Sequence, residues 1–359
     1  MSLPYCLMAD LHLHRWSSFA QDLPSGLNSR LSGLLSEITR ASVEVVKAGG
    51  KHVVLAGDVF HVRGSVAPSV LNPTKDLLKS LHGGLGVEFI IIPGNHDLEG
   101  KEATRLGSAV TALECDHVSI ENETVFRGDL GAWLFPWFER VEDLKAQLER
   151  RAPEEGVVCD AIIHAPIDGV IAGLPAHGLD PEYLATLGYR NIYAGHYHNH
   201  RAFPGGAVSI GALAHHTWSD VGTKAGFLIV NPLEGSYRWF KSHLPEFVDL
   251  SKLAETDPEM IPLLVDKNYV RVRVAASKVK EVDEARQELL DMGAIAVLVQ
   301  AEPKPPVETE GRAGVSVKSG ASLEVSVTEF IGSMKDVTDP KAVSEAAIAV
   351  LASVETMGE

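Results

Sequence analysis

Five short apolar runs in this chain each end in residues that can ligate a metal, and this recurrence restricts the fold more than any other feature. Leu3 to Met8 leads into Asp10-Leu11-His12, His52 to Ala56 into Gly57-Asp58, and Glu88 to Ile92 into Gly94-Asn95-His96-Asp97. Val158 to Ile163 leads into His164, and Asn191 to Ala194 into Gly195-His196-Tyr197-His198. Short apolar runs closed by turn formers read as strands. Between them, Leu31, Leu34, Leu35, Ile38, Val45 and Val46 recur at helical spacing, and Leu77, Leu78 and Leu81 mark a second amphipathic helix. Strands alternating with helices predict an α/β domain from Pro4 to about Pro245. In open α/β sheets ligands bind beyond the carboxyl ends of the strands, so the five junctions should converge on one place.

Each junction alone says little. Asp10 and His12 are two apart, which on a strand turns both side chains to one face, yet an isolated pair of this kind is more often a turn cap beside a surface histidine. Gly57-Asp58 alone is a turn. Gly94-Asn95-His96-Asp97 is more specific, because an amide, an imidazole and a carboxylate share one glycine-started loop. One explanation, a shared metal site, accounts for all five blocks in order.

Composition limits the setting. The formal net charge of −16 disfavours attraction of the whole surface to a polyanion, although two divalent cations would supply positive charge where a phosphate docks. With 45% hydrophobic and 22% charged residues the chain can bury a sizeable core. No apolar run is long enough to span a membrane and no secretory leader pattern is present, so a cytoplasmic location is expected. Cys6, Cys115 and Cys159 are odd in number and far apart, which suits buried thiols better than disulfides or a zinc site.

Further along, Ala207 to Ile210 and Phe227 to Val230 read as strands, and Trp239, Phe240, Leu244, Pro245 and Phe247 read as a domain exit, giving a first domain of residues 1–248. Tyr269 to Val274, Lys278 to Met292 and Ala294 to Val299 then read as strand, helix, strand, a small unit within residues 249–301. Residues 302–322 are rich in Pro, Gly, Ser and charge, which predicts a flexible linker. Helices are expected in residues 323–359, one of them with Asp339 as N-cap and Pro340 at its first position, running to about Val354.

The ordered set D-x-H, G-D, G-N-H-D, H and G-H-x-H resembles the calcineurin-like metallophosphoesterases over roughly the first two thirds of the chain. The resemblance implies an α/β fold in which a β-sandwich is flanked by helices in αββα layers, with a small α+β capping domain and C-terminal helices. It also implies one metal on Asp10, His12, Asp58 and His198 and a second on Asp58, Asn95, His164 and His196. A carboxylate shared in this way can hold two cations roughly 3.5–4 Å apart, a pair that activates water and polarises a phosphate. By the same resemblance His96 would act on the leaving oxygen, with Asp97 orienting its imidazole. The nitrogen and oxygen donors suit Mn2+, Fe2+ or Zn2+, and the resemblance to nucleases of the family points to manganese.

Protein phosphatases of the superfamily carry G-D-x-V-D-R-G and G-N-H-E, from which Gly57-Asp58-Val59-Phe60-His61 and Gly94-Asn95-His96-Asp97 depart. These segments, with Ser209-Ile210-Gly211-Ala212 and Lys224-Ala225-Gly226-Phe227, are similar to the SbcD-type nuclease subunits of DNA-repair and recombination complexes, especially phage-encoded and bacterial relatives. This implies an exonuclease or endonuclease acting on DNA, an SbcC-type coiled-coil ATPase as partner for the C-terminal helices, and pairing into a homodimer through a helix such as the one holding Leu77 to Leu81. His61 would guide a DNA strand, or serve as an ordinary hydrogen-bonded loop histidine. His14, His200, His215 and His216 gather near the same loops as outer contacts or surface residues. A phosphodiesterase or phosphatase for small nucleotides is the competing enzyme reading. A non-catalytic scaffold should have lost ligands, and all seven are present.

Overall fold

The computed structural model describes residues 2–251, 257–274 and 282–301, and beyond them 331, 339, 341–344 and 346–347. The chain divides into two compact units, Met1–Glu302 and Pro303–Glu359. The expected linker at 302–322 lies outside the described residues, as does most of 323–359. Within the described part, Asp339 accepts the backbone N–H of Ala342 on Oδ1 at 3.1 Å, the bond an N-cap makes.

The first unit begins with β1 (Tyr5–Met8), α1 (Ser29–Lys47), β2 (His52–Ala56), α2 (Pro68–Leu85), β3 (Glu88–Ile92) and β4 (Val118–Ile120). It continues through β5 (Val125–Arg127), β6 (Ala132–Phe135), α3 (Val141–Arg150), β7 (Asp160–His164), α4 (Pro181–Ala185) and β8 (Ile192–Gly195). Then come β9 (Arg201–Ala202), β10 (Ala207–Ser209), β11 (Gly226–Asn231) and β12 (Ser236–Lys241). One sheet has the order β12-β11-β1-β2-β3-β4 and the other β5-β6-β7-β8-β10-β9. In the first, β1 to β4 run parallel and β11 joins β1 antiparallel.

Side-chain alternation builds the layers. Tyr5 and Leu7, Val54 and Ala56, and Ile90 and Ile92 share a core with Leu134, Ile162, Tyr193 and Val208 of the other sheet. The intervening Cys6, Met8, Val53, Leu55, Phe89 and Ile91 face Leu31, Leu34, Ile38, Leu78 and Leu81 of α1 and α2. On the far side, Ala161 and Ile163 pack with Leu144, Leu148 and Leu184 of α3 and α4. The result is the αββα sandwich. Strands buried on both faces read as unbroken apolar runs, and each fully buried aliphatic side chain contributes about 1.5–3 kcal/mol. Leu78 and Leu81 are spent on this core, as is the inward side of Leu77.

Two strand starts differ from expectation. Leu3 and Val158 are exposed, and the strands begin at Tyr5 and at Asp160, whose buried carboxylate pairs with Arg190 at 2.5 Å. Trp239 and Phe240, expected in a domain exit, belong instead to the strand Ser236–Lys241, which pairs along its length with β11. Cys6 and Cys159 are buried as expected, but Cys115 is exposed, on a tight turn that closes with Val118.

The small α+β part has three parallel strands, β13 (Phe247–Asp249), β14 (Tyr269–Val274) and β15 (Ala296–Ala301), with α5 (Ile261–Val265) and α6 (Val282–Asp291). Leu250, Val265, Val270, Val272, Leu289 and Ala294 form its core. Its first strand starts at Phe247, just ahead of the expected boundary, and residues 278–281 of the expected helix lie outside the described residues. Among the described residues no helix is long and apolar enough to cross a membrane.

Candidate metal centre

The carboxyl ends of β1, β2, β3, β7 and β8 lie side by side across the two sheets, and the five junctions meet there. Asp10, His12 and His198 bring one ligand atom each within 4.8 Å of one another, and so do Asp58, His164 and His196. Asp58 faces both groups, with Oδ1 3.4 Å from His164 Nε2 and Oδ2 3.8 Å from His12 Nε2. The Asn95 amide oxygen stands 3.3 Å from His164 Nε2 and 3.1 Å from His196 Nδ1. All seven expected ligand residues are therefore in one cluster.

The backbone is bent to make this possible. Asp10, His12, Asp58 and His196 all have positive φ, from 44° to 105°, a conformation non-glycine residues seldom take. Strain of this kind persists where the surroundings enforce it, characteristically at functional sites. Gly57, at φ +89°, lies under the His164 ring, and Gly94 lies against Asp58, where a Cβ would meet Oδ1 at 2.3 Å.

The hydrogen bonds fix which ring nitrogens point inward. His164 Nδ1 donates to the Ala56 carbonyl at 2.8 Å, so Nε2 is the nitrogen turned towards Asp58 and Asn95. His198 Nδ1 donates to Asp220 Oδ1 at 2.7 Å, and its Nε2 faces His12 Nε2 at 3.3 Å. Ring nitrogens and carbonyl or carboxylate oxygens at this range share either a proton or a metal ion. Burial and neighbouring imidazoles hold His12 well below the ordinary histidine range and His196 down at about 3, so both offer neutral nitrogen. Burial opposes charge on His164 as well, yet Asp58 more than offsets it and pushes His164 up to about 9. Burial would raise Asp58 in turn, but His164 and His12 hold it far below the usual carboxylate range. Imidazoles and buried carboxylates in one cluster are the donor set of a divalent cation, which displaces any proton they carry, and the residues fit two. Bound there, two such cations would polarise a phosphate and supply a nucleophile at neutral pH.

His96 sits at the edge of this cluster, in a third group with His12 and His61. Its backbone N–H donates to Asp58 Oδ1 at 2.8 Å, and its Nδ1 donates to the His61 carbonyl at 2.6 Å. The orienting contact expected from Asp97 is thus made by His61. Asp97 is fully buried and accepts the backbone N–H groups of Val59, Phe60 and Gly94 at 3.2, 2.9 and 2.9 Å. It clamps the Asp58 loop to the Asn95 loop. Burial and the nearby Asp58 push its carboxyl up to about 7.

The other histidines have separable places. His61 Nδ1 is 3.5 Å from His12 Nδ1, and its ring lies on Trp16 with centroids 4.5 Å apart. Burial, His14 and His96 bring His61 down to about 4. His14 packs on Trp16 and His61 and joins none of the three ligand groups among the described residues. His200 donates to the Ser209 carbonyl and stacks on Trp239. His215 and His216 are buried, and His216 Nε2 donates to the Asp10 carbonyl at 2.9 Å.

Three contributors carried no signal in sequence. Asp220 belongs to a Thr217-Trp218-Ser219-Asp220 capping turn, which any polar loop can form. Trp137 stacks on His196 with centroids 5.4 Å apart, and Trp16 supports His61. Trp137 follows none of the five junctions, and Trp16, four residues beyond His12, reads as an ordinary loop aromatic.

A β-sandwich between helix layers, with an Asp/His/Asn cluster at its strand ends, defines a metal-dependent phosphoesterase. Residues 3–200 match the calcineurin-like phosphoesterase family model, and the chain belongs to that family. Among solved structures, it is similar to a dimetal phosphatase from Danio rerio, at 11% identity and a TM-score of 0.39, covering 63% of this chain and 91% of that one. It is also similar to the nuclease MPE of Pseudomonas putida, at 14% identity and a TM-score of 0.29, covering 66% and 87%. No curated protein matches the sequence.

Proposed function

We propose that the chain hydrolyses phosphodiester bonds of DNA with two divalent cations, Mn2+ foremost. Asp10, His12, Asp58 and His198 hold one, Asp58, Asn95, His164 and His196 hold the other, and His96 attends the leaving oxygen. The observation that carries the reading is how the cluster meets solvent. Asp10, Asp58 and His164 are buried, whereas His61, His96, His196 and His198 are only partly so and form one accessible edge. A phosphate within a long polymer can approach such an edge without being enclosed. Two bridged cations against two carboxylates leave about two positive charges, which favour the added negative charge of an attacked phosphate.

With a net charge of −16, the grip on DNA has to come largely from elsewhere. In this reading an SbcC-type coiled-coil ATPase supplies it, docked on residues 323–359, and residues 249–301 cap the catalytic domain. The test is Mn2+-dependent cleavage of end-labelled linear duplex DNA by the purified chain, with Asp58→Asn as control and a small diester run alongside. Cleavage that disappears in the control supports the proposal. Diester turnover with no DNA cleavage, even with the ATPase added, supports a small-nucleotide phosphodiesterase instead.

A further inference from the structure

Arg30, in the first turn of α1, is buried at 9% exposure, and its guanidinium is spent on main-chain carbonyls. Nη1 donates to Ser18 at 3.3 Å, and Nη2 donates to both His215 and His216, at 3.2 and 2.8 Å. Charge-assisted bonds in a desolvated setting are strong, and a planar fork holds several acceptors in fixed directions. The segment it pins has two ends of interest. On one, the His216 N–H donates to Asp220 Oδ2 at 2.7 Å, while Asp220 Oδ1 receives His198 Nδ1. On the other, the Phe247 N–H, at the start of the small α+β part, donates to His215 Nδ1 at 3.0 Å.

The small α+β part also touches the guanidinium itself. The rings of Phe247 and Tyr269 lie 5.4 and 5.6 Å from it, and that of Trp16, under His61, lies 4.4 Å from it. Each of these is within cation–π range. A shift of β13 and β14 therefore moves partners of Arg30 and His215 together. We propose that Arg30 and Asp220 are positioning residues of the metal centre, and that residues 215–220 transmit the seating of the small α+β part to His198. This rests on the reading of His198 as a ligand.

Titration of the full-length metal-free chain with Mn2+ tests it, comparing the native sequence with Arg30→Lys, Asp220→Asn, their combination and Tyr269→Ala, each with its metal-free melting temperature. Asp220→Asn should weaken one of the two Mn2+ steps roughly 10–100-fold, the usual cost of losing a carboxylate behind a ligand histidine. Arg30→Lys keeps the charge but loses the fork, and should weaken the same step by a smaller factor, as should Tyr269→Ala. The combined variant should be little weaker than Asp220→Asn alone, because both changes act through one loop. Arg30→Lys with lowered melting but native Mn2+ affinity overturns the proposal, and so does full additivity in the combination. Native affinity in Tyr269→Ala overturns the link to the small α+β part. A native chain that binds no Mn2+ overturns the metal reading itself.

Discussion

Gly57 leaves no room between its Cα and the imidazole of His164: a Cβ built at position 57 would lie 2.1 Å from Nδ1 and 2.5 Å from Cγ. Gly57→Ala therefore meets two penalties. The positive φ costs an L-residue roughly 1–2 kcal/mol, and forcing atoms into a packed site typically adds about 1–3 kcal/mol. The variant should melt lower than the native chain and bind Mn2+ more weakly, because His164 must move. A native melting temperature together with native metal affinity would contradict the geometry.

Asp97 tests a second relationship. If its carboxylate clamps Val59, Phe60 and Gly94, then Asp97→Ala strands three buried N–H groups at about 1–3 kcal/mol each. Urea unfolding should show a loss of at least about 3 kcal/mol in the metal-free protein. A residue that merely oriented His96 would leave metal-free stability nearly unchanged.

The sequence expectation that Asp97 orients His96 fails on the geometry of one turn. Asn95–Asp97 forms a single 3-10 turn, in which successive side chains splay about 120° apart, so adjacency in sequence separates His96 from Asp97. The runs at β1, β2 and β3 were legible because both of their faces are buried, which leaves an unbroken apolar string. Ser236-Tyr237-Arg238-Trp239-Phe240-Lys241 was not, since an outermost strand needs no such string and its polar residues resemble an exit loop. β4 and β5, of three residues each, offer too few positions for any period to emerge. The seven clustered residues were legible because each ends a strand, whereas Asp220 and Arg30 act through turns and carbonyls that leave no pattern.

The cysteines give a chemical check on burial. Cys6 is fully enclosed, and burial raises its thiol far above the ordinary range, while Cys115 is exposed. Only thiolate that solvent can reach reacts quickly. The native protein should yield one fast equivalent with a thiol reagent and three after denaturation, and Cys115→Ser should abolish the fast one. A fast equivalent that survives in Cys115→Ser would contradict the packing at Cys6 and Cys159.

In the small α+β part, Asp249 bonds Arg271 and the Ser251 hydroxyl. Burial opposes its charge, but these partners hold its carboxyl down at about 2. A depressed carboxyl contributes stability above its unfolded pKa of about 3.9, and loses it as pH falls towards the folded value. Asp249→Asn should therefore melt below the native protein at pH 7, with the gap narrowing once pH drops below about 4. A gap independent of pH from 7 to 3 would show that the ion pair is not its source.

The most direct test of the account is the metal stoichiometry of the purified chain, measured by titrating the metal-free protein with Mn2+ and counting bound ions by elemental analysis. Two ions per native chain, falling to one or none in Asp58→Asn with the fold retained by circular dichroism, is the predicted result. A native chain that saturates at one ion, or an Asp58→Asn chain that still binds two with native affinity, would contradict it.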